Sequence, residues 1–191
     1  MRRLLSVMML FVFAASSSPA SASILVFDAA LTGSAEVPPT GSPATGSAVI
    51  EVDTGLNTLE ISLTFSGLLG GPATAAHIHC CVPPGTNTGV SVLFVGFPAA
   101  SSGTYDHTFN LLDITTYNAA FVTASGGTAA GAEAALIAGL NIGNAYVNIH
   151  NATFPGGEIR GFAAAAAAPE PATLILLGVG LAGLGFSRRK R

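Results

Sequence analysis

The sequence predicts an all-β domain, an antiparallel β-sandwich with one short helix, set between two terminal address segments. Three observations carry this reading. Leu59, Ile61, Leu63 and Phe65 alternate with Glu60, Ser62, Thr64 and Ser66, the period of two that a strand with one buried face requires. Short apolar runs of this kind recur along the chain and are separated by Gly, Pro, Ser and Asn clusters. The stretch from Ser23 to Ala168 is 146 residues, the size of one domain with a sizeable core.

Taken in order, the first strand is expected over Ile24 to Leu31. Ala48, Ile50 and Val52 alternate with Val49, Glu51 and Asp53 in a second. The loop Asp53-Thr54-Gly55-Leu56-Asn57 turns it into the strand at Leu59 to Ser66, as a Gly-containing hairpin connection should. Further strands fit Thr74 to Cys80, Val90 to Phe97, Thr104 to Leu111, Ala145 to His150 and Glu158 to Phe162. Thr128 to Leu140 breaks the pattern. It is rich in Ala, Leu and Glu, which favour helix, and Asn141 and Gly143 follow as stop signals. Ala163 to Ala168 reads as a small-residue linker, and no internal repeat is visible.

Composition excludes several classes. Half of the 191 residues are hydrophobic and only 9% are charged, against about 25% in a typical soluble domain. Glycine and proline are too few for low-complexity disorder and lack a collagen period. Six of the seven Lys and Arg residues lie at the termini, leaving Arg160 alone against nine acids between Ser23 and Ala168. Nucleic-acid binding needs clustered cations to displace phosphate counterions, so no nucleic-acid partner is expected.

The termini read as signals. Arg2-Arg3, the apolar run Leu4 to Ala15 and the small-residue site Ala20-Ser21-Ala22 form a secretory signal peptide over residues 1–22, cut by signal peptidase after Ala22. At the other end, Pro169-Glu170-Pro171 precedes an apolar run, Ala172 to Phe186, and the cluster Arg188-Arg189-Lys190-Arg191. Fifteen helical residues span roughly 22 Å, short of a hydrocarbon core of about 30 Å. Flanking Arg and Lys can snorkel to make up part of the difference. The positive-inside rule keeps the basic end cytoplasmic, in agreement with export of everything before it across the inner membrane. Residues 169–191, tripeptide, short transmembrane helix and basic end in order, resemble the PEP-CTERM sorting signal of Gram-negative bacteria. The resemblance implies recognition by an exosortase-type processing enzyme, a transient membrane anchor, and delivery to the periplasm, cell surface or extracellular matrix, in bacteria associated with exopolysaccharide production.

Three motifs of the exported part resemble the CHRD domain. They are Leu31-Thr32-Gly33-Ser34-Ala35-Glu36-Val37-Pro38-Pro39, Ala76-His77-Ile78-His79, and Asn148-Ile149-His150 with Phe154-Pro155-Gly156-Gly157-Glu158-Ile159-Arg160-Gly161. They bracket nearly all of residues 23–162. The resemblance implies an all-β domain with no established activity. The growth-factor binding of chordin does not transfer, because its cysteine-rich repeats are missing.

The residues that can carry chemistry are few. On a strand, His77 and His79 share a face, with Ile78 turned to the core. His150 shares a face with Tyr146 and Asn148, so three imidazoles converge if the two strands are neighbours. Zinc and copper both accept such a set. The H-x-H spacing on a sandwich resembles copper/zinc superoxide dismutase, and the sandwich is expected to be immunoglobulin-like or superoxide-dismutase-like. That enzyme's bridging-histidine run and metal loop are not recognisable. The first expectation is that the imidazoles bond loop backbone or Glu158, with no cofactor; the alternative is a metal or redox site of His77, His79, His150 and Cys81. For Cys80 and Cys81, a vicinal disulfide, two free thiols and ligation by Cys81 are all open. Arg160 is expected to pair with Glu158 or Glu36. No G-x-S-x-G motif, catalytic triad or phosphate loop is present, so the primary expectation is a non-enzymatic exported domain.

Overall fold

A computed structural model describes residues 22–166; the signal peptide, the tripeptide Pro169-Glu170-Pro171 and the apolar run that follows lie outside the described residues. Among the described residues there are nine strands: β1 (Ile24–Thr32), β2 (Thr45–Asp53), β3 (Thr58–Ser66), β4 (Ala73–Cys80), β5 (Val90–Leu93), β6 (Gly103–Asn110), β7 (Ala145–Asn151), β8 (Ile159–Phe162) and β9 (Ala164–Ala165). They form one antiparallel sheet in the order β5-β4-β7-β8-β1-β2-β3-β6, with β9 pairing Phe27 and Asp28 in the middle of β1. The all-β expectation holds. The facing layers of the expected sandwich are the two halves of this continuous sheet, curled into a half-barrel.

Alternation builds the curl. Phe27, Leu31, Ile50, Val52, Leu59 and Ile61 point inward from β1 to β3, and Ile78, Val147 and Ile149 meet them from the other half. The β2–β3 hairpin is fixed by Asp53, whose Oδ1 accepts from Gly55 N at 2.8 Å and Leu56 N at 3.0 Å. Asn57 closes the turn with φ 53°, a left-handed conformation that Asn tolerates. The sheet edges approach each other through aromatic rings. Phe94, just after β5, stacks on Tyr105 of β6 at 5.3 Å, and the Tyr105 hydroxyl donates to Val95 O at 3.0 Å.

The expected helix is α2 (Ala129–Asn141), capped by Thr128, whose hydroxyl accepts from Gly131 N. Its Leu136 and Leu140 are fully buried. A second, shorter helix, α1 (Ala119–Ala124), was not expected. Its Ala-Phe-Val core suits a strand as well as a helix, and the deciding feature is Asn118, whose side chain caps Ala120 N. The segment expected as one strand over Val90 to Phe97 pairs only as far as Leu93. The Ala-rich linker begins by pairing Ala164–Ala165 with β1.

Strand β7 is buried on both faces over its whole length. The inner row packs in the core; the outer row is covered by the segments 36–40, 83–89 and 152–157. Beside it, Glu158 ties Ser42 and the Leu69–Gly70 turn to Asn151 at the end of β7. It is fully buried, and its carboxylate accepts from Ser42 Oγ at 2.6 Å, Leu69 N at 2.7 Å, Gly70 N at 3.1 Å and Asn151 Nδ2. Burial alone would raise its pKa, but these donors together outweigh that and hold it below the usual carboxylate value. Glu158→Ala leaves the donors of three separate segments without their common acceptor. It should lower stability by on the order of 3 kcal/mol, read as a reduced urea midpoint; an unchanged midpoint would contradict the clamp.

Candidate metal centre

The outer faces of β4 and β7 bring the histidines together. The two strands are antiparallel neighbours, with His77 opposite Asn148 and His79 opposite Tyr146. Ile78 is fully buried on the inner face, as alternation requires. His150 sits diagonally from His77, their ring centroids 5.0 Å apart. One nitrogen from each of His77, His79 and His150 lies within 4.8 Å of the others.

Hydrogen bonds define which nitrogens of these rings are left free. His79 Nδ1 lies 2.9 Å from Thr88 O, and His150 Nδ1 lies 3.0 Å from Pro155 O. A carbonyl can only accept, so both rings carry their proton on Nδ1 when neutral. Their Nε2 atoms therefore present lone pairs. Both are buried and without a hydrogen-bond partner, and so is His77 Nδ1. The result is one Nδ1 and two Nε2 atoms that are buried and unpaired. Burial lowers His77 to a pKa of about 4, assisted by the charges His150 and His79 would carry. Burial likewise lowers His79 to about 4, against its bond to Thr88 and with help from His150 and Arg160. His150 is lowered by burial and by Arg160. All three are neutral imidazoles at neutral pH, the form that ligates metal.

Arg160 takes Glu36 as its partner rather than Glu158, which is committed to the clamp. Nε donates to Glu36 Oε2 at 2.6 Å and Nη2 lies 2.5 Å from the same oxygen. Burial pushes Glu36 upward in pKa against the pull of the guanidinium. The turn beside the pair needs glycine. Gly157 has φ 121°, and a Cβ there would run into Asn148 Oδ1 and Glu36 Oε1. The segments that supply the carbonyls to His79 and His150 both border a cavity of about 410 Å³, with Asn87 on one side and Pro155 on the other.

Cys81 does not join the histidines. It is bonded to Cys80, and its sulfur lies 3.4 Å from Ala135 O of α2. Both sulfurs occupy the space that a Cβ on Gly139 would fill. Of the three open states, the structure has the vicinal disulfide. The fourth histidine, His107, lies apart on β6 between Tyr105 and Phe109. Sequence reasoning placed Tyr146 on the histidine face but missed its contact: its ring stacks on His79 at 4.8 Å, 3° from parallel. It also missed Thr88 and Pro155, because a backbone carbonyl leaves no mark in residue type.

Residues 27–163 match the family model of the CHRD domain, and residues 167–190 match the PEP-CTERM protein-sorting motif. The second match implies export, a C-terminal anchor in the cell envelope and processing by an exosortase-type enzyme. Among the described residues no helix is long and apolar enough to cross a membrane. No curated protein and no solved structure is significantly similar to the chain.

The neutral histidines give metal-free stability a pH dependence of definite sign. His77 and His79 titrate at about 4 when folded, against 6.5 as their ordinary value. The unfolded chain thus binds more protons between these values. The stabilising contribution is complete above 6.5 and is lost as pH falls through about 4. Urea midpoints of chelator-treated protein should fall on going from neutral to acidic buffer. They should fall less in the double variant His77→Gln, His79→Gln; equal falls would contradict the assignment.

Proposed function

We propose that this chain, which belongs to the CHRD domain family, is an exported envelope protein whose domain binds a zinc or copper ion through His77, His79 and His150. The observation that carries the reading is a set of three histidines, each with a buried, unpartnered ring nitrogen, whose rings can each offer a nitrogen within 4.8 Å of the others. Such groups are costly when unmet, and an ion meets all three at once. The far nitrogens of His79 and His150 donate to backbone carbonyls, the arrangement by which proteins fix the tautomer of a ligating histidine. His77 would ligate through Nδ1, the other two through Nε2. Three neutral imidazoles leave a fourth position for water or another ligand.

The proposed role is binding rather than turnover. Of the buried carboxylates, Glu158 is held on both oxygens by its clamp, and Glu36 is tied through Oε2 to Arg160, with Oε1 left unpartnered. The first expectation, that the imidazoles bond loop backbone, describes the Nδ1 atoms of His79 and His150. It leaves the other nitrogens unexplained, and this favours the metal reading.

Protein purified without added ions should carry close to one equivalent of zinc or copper by elemental analysis, and His79→Ala should lose it. Added zinc should raise the melting temperature of the metal-free form, since a ligand specific to the folded state stabilises it. Absence of metal together with an unchanged melting temperature would leave the histidines as loop braces alone.

Sorting is proposed to run through Pro169, Glu170 and Pro171. Proline interrupts helix and disfavours it in the preceding residue, chemistry that suits a cleavage signal set before an apolar run. Replacing all three by Ala should abolish C-terminal processing, seen by mass spectrometry of the protein from cells; normal processing would refute this route.

A further inference from the structure

We infer that Arg160 is a positioning residue for His79, acting through Tyr146 and the backbone of Thr86 to Thr88. The inference rests on the metal reading for its purpose, though not for its geometry.

The segment 83–89 that supplies the carbonyl to His79 is mostly exposed and lies between β4 and β5. Two side chains from the buried sheet hold it. Arg160 reaches it with the donors that Glu36 leaves free: Nη2 donates to Asn87 Oδ1 at 2.7 Å and Nη1 to Thr86 O at 3.4 Å. Tyr146 reaches it with its hydroxyl, which accepts from Thr88 N at 3.3 Å. The Thr88 carbonyl then faces His79 Nδ1. Arg160 and Tyr146 are themselves joined, the guanidinium carbon lying 4.5 Å from the ring centroid. The parallel stack of Tyr146 on His79 sets the plane of the imidazole. Asn87 completes the collar, because its Nδ2 donates to Val37 O at 2.8 Å and ties the segment to the one that carries Glu36.

The chemistry follows from this order. Without a fixed acceptor at Nδ1, the proton of a neutral imidazole distributes between its two nitrogens. Half-time protonation of Nε2 removes the lone pair that faces His77 and His150. A planar guanidinium can serve Glu36, Asn87 and Thr86 O together; the three donors of an ammonium lack that fork. His150 provides an internal control, since its Nδ1 is fixed by Pro155 O and not by the collar.

The test uses Arg160→Lys together with Asn87→Ala and Tyr146→Phe, two changes less exposed to folding failure. Nitrogen-15 NMR of chelator-treated protein reads the tautomer of each histidine, and competition with a chromogenic chelator reads zinc affinity. His79 should be a single Nδ1–H tautomer in the unmodified protein and a mixture in the variants, with His150 unchanged. Zinc affinity should fall by roughly 10–100-fold, the usual cost of losing such outer support. General loosening of the fold would disturb both histidines alike and would overturn the inference, as would an unaltered His79 tautomer in Asn87→Ala and Tyr146→Phe. If the unmodified protein binds no zinc while the variants still scramble only His79, the metal reading fails and the positioning role stands.

Discussion

Burial of β7 on both faces imposes a pairing requirement on every polar side chain of its outer row. Tyr146, Asn148 and His150 cannot turn to solvent, and neither can Arg160 beside them on β8. The segments that cover this row are shaped by that requirement. Glu36 arrives from the turn after β1 to meet the guanidinium, Asn87 and Thr86 arrive from the segment before β5, and Pro155 presents its carbonyl to His150. A buried cation stripped of its carboxylate would cost several kcal/mol, of order 3–5. The three segments are therefore held to the sheet chiefly by polar pairing.

Against this background the unpaired atoms carry meaning. The Glu158 carboxylate is satisfied on both oxygens, yet five buried polar atoms among the described residues stay bare: Glu36 Oε1, Asn148 Oδ1 and one nitrogen on each of His77, His79 and His150, three rings that can each offer a nitrogen within 4.8 Å of the others. Two of those rings are simultaneously held by their other nitrogen. Structural bracing and metal ligation are thus compatible duties divided between the two nitrogens of one ring. The disulfide at the end of β4 belongs to a different contact, the seat of α2 at Gly139 on the far side of the strand.

Much of the fold was legible because strand alternation is a local signal. Leu59 to Ser66 announces its buried face residue by residue, and Thr128 announces the start of α2. The shared face of His77 and His79 follows from the same rule. The extra helix α1 was not legible, since Ala119 to Ala124 has no periodicity of its own and depends on the Asn118 cap. The choice of Glu36 over Glu158 for Arg160 was open for a similar reason: it is decided by Ser42, Leu69, Gly70 and Asn151, which claim Glu158 from three places in the chain. The continuous curl of the sheet is a matter of edge strands meeting through Phe94 and Tyr105, which no local pattern encodes.

The central claim is that the outer face of β4 and β7 presents three lone pairs to one ion. Anomalous diffraction from crystals of the mature domain soaked with zinc tests it most directly. The account predicts a single strong peak bounded by His77 Nδ1, His79 Nε2 and His150 Nε2, at about 2.0–2.1 Å from each. A structure in which His77 turns its ring to solvent and the peak lies elsewhere, or is missing, would contradict it.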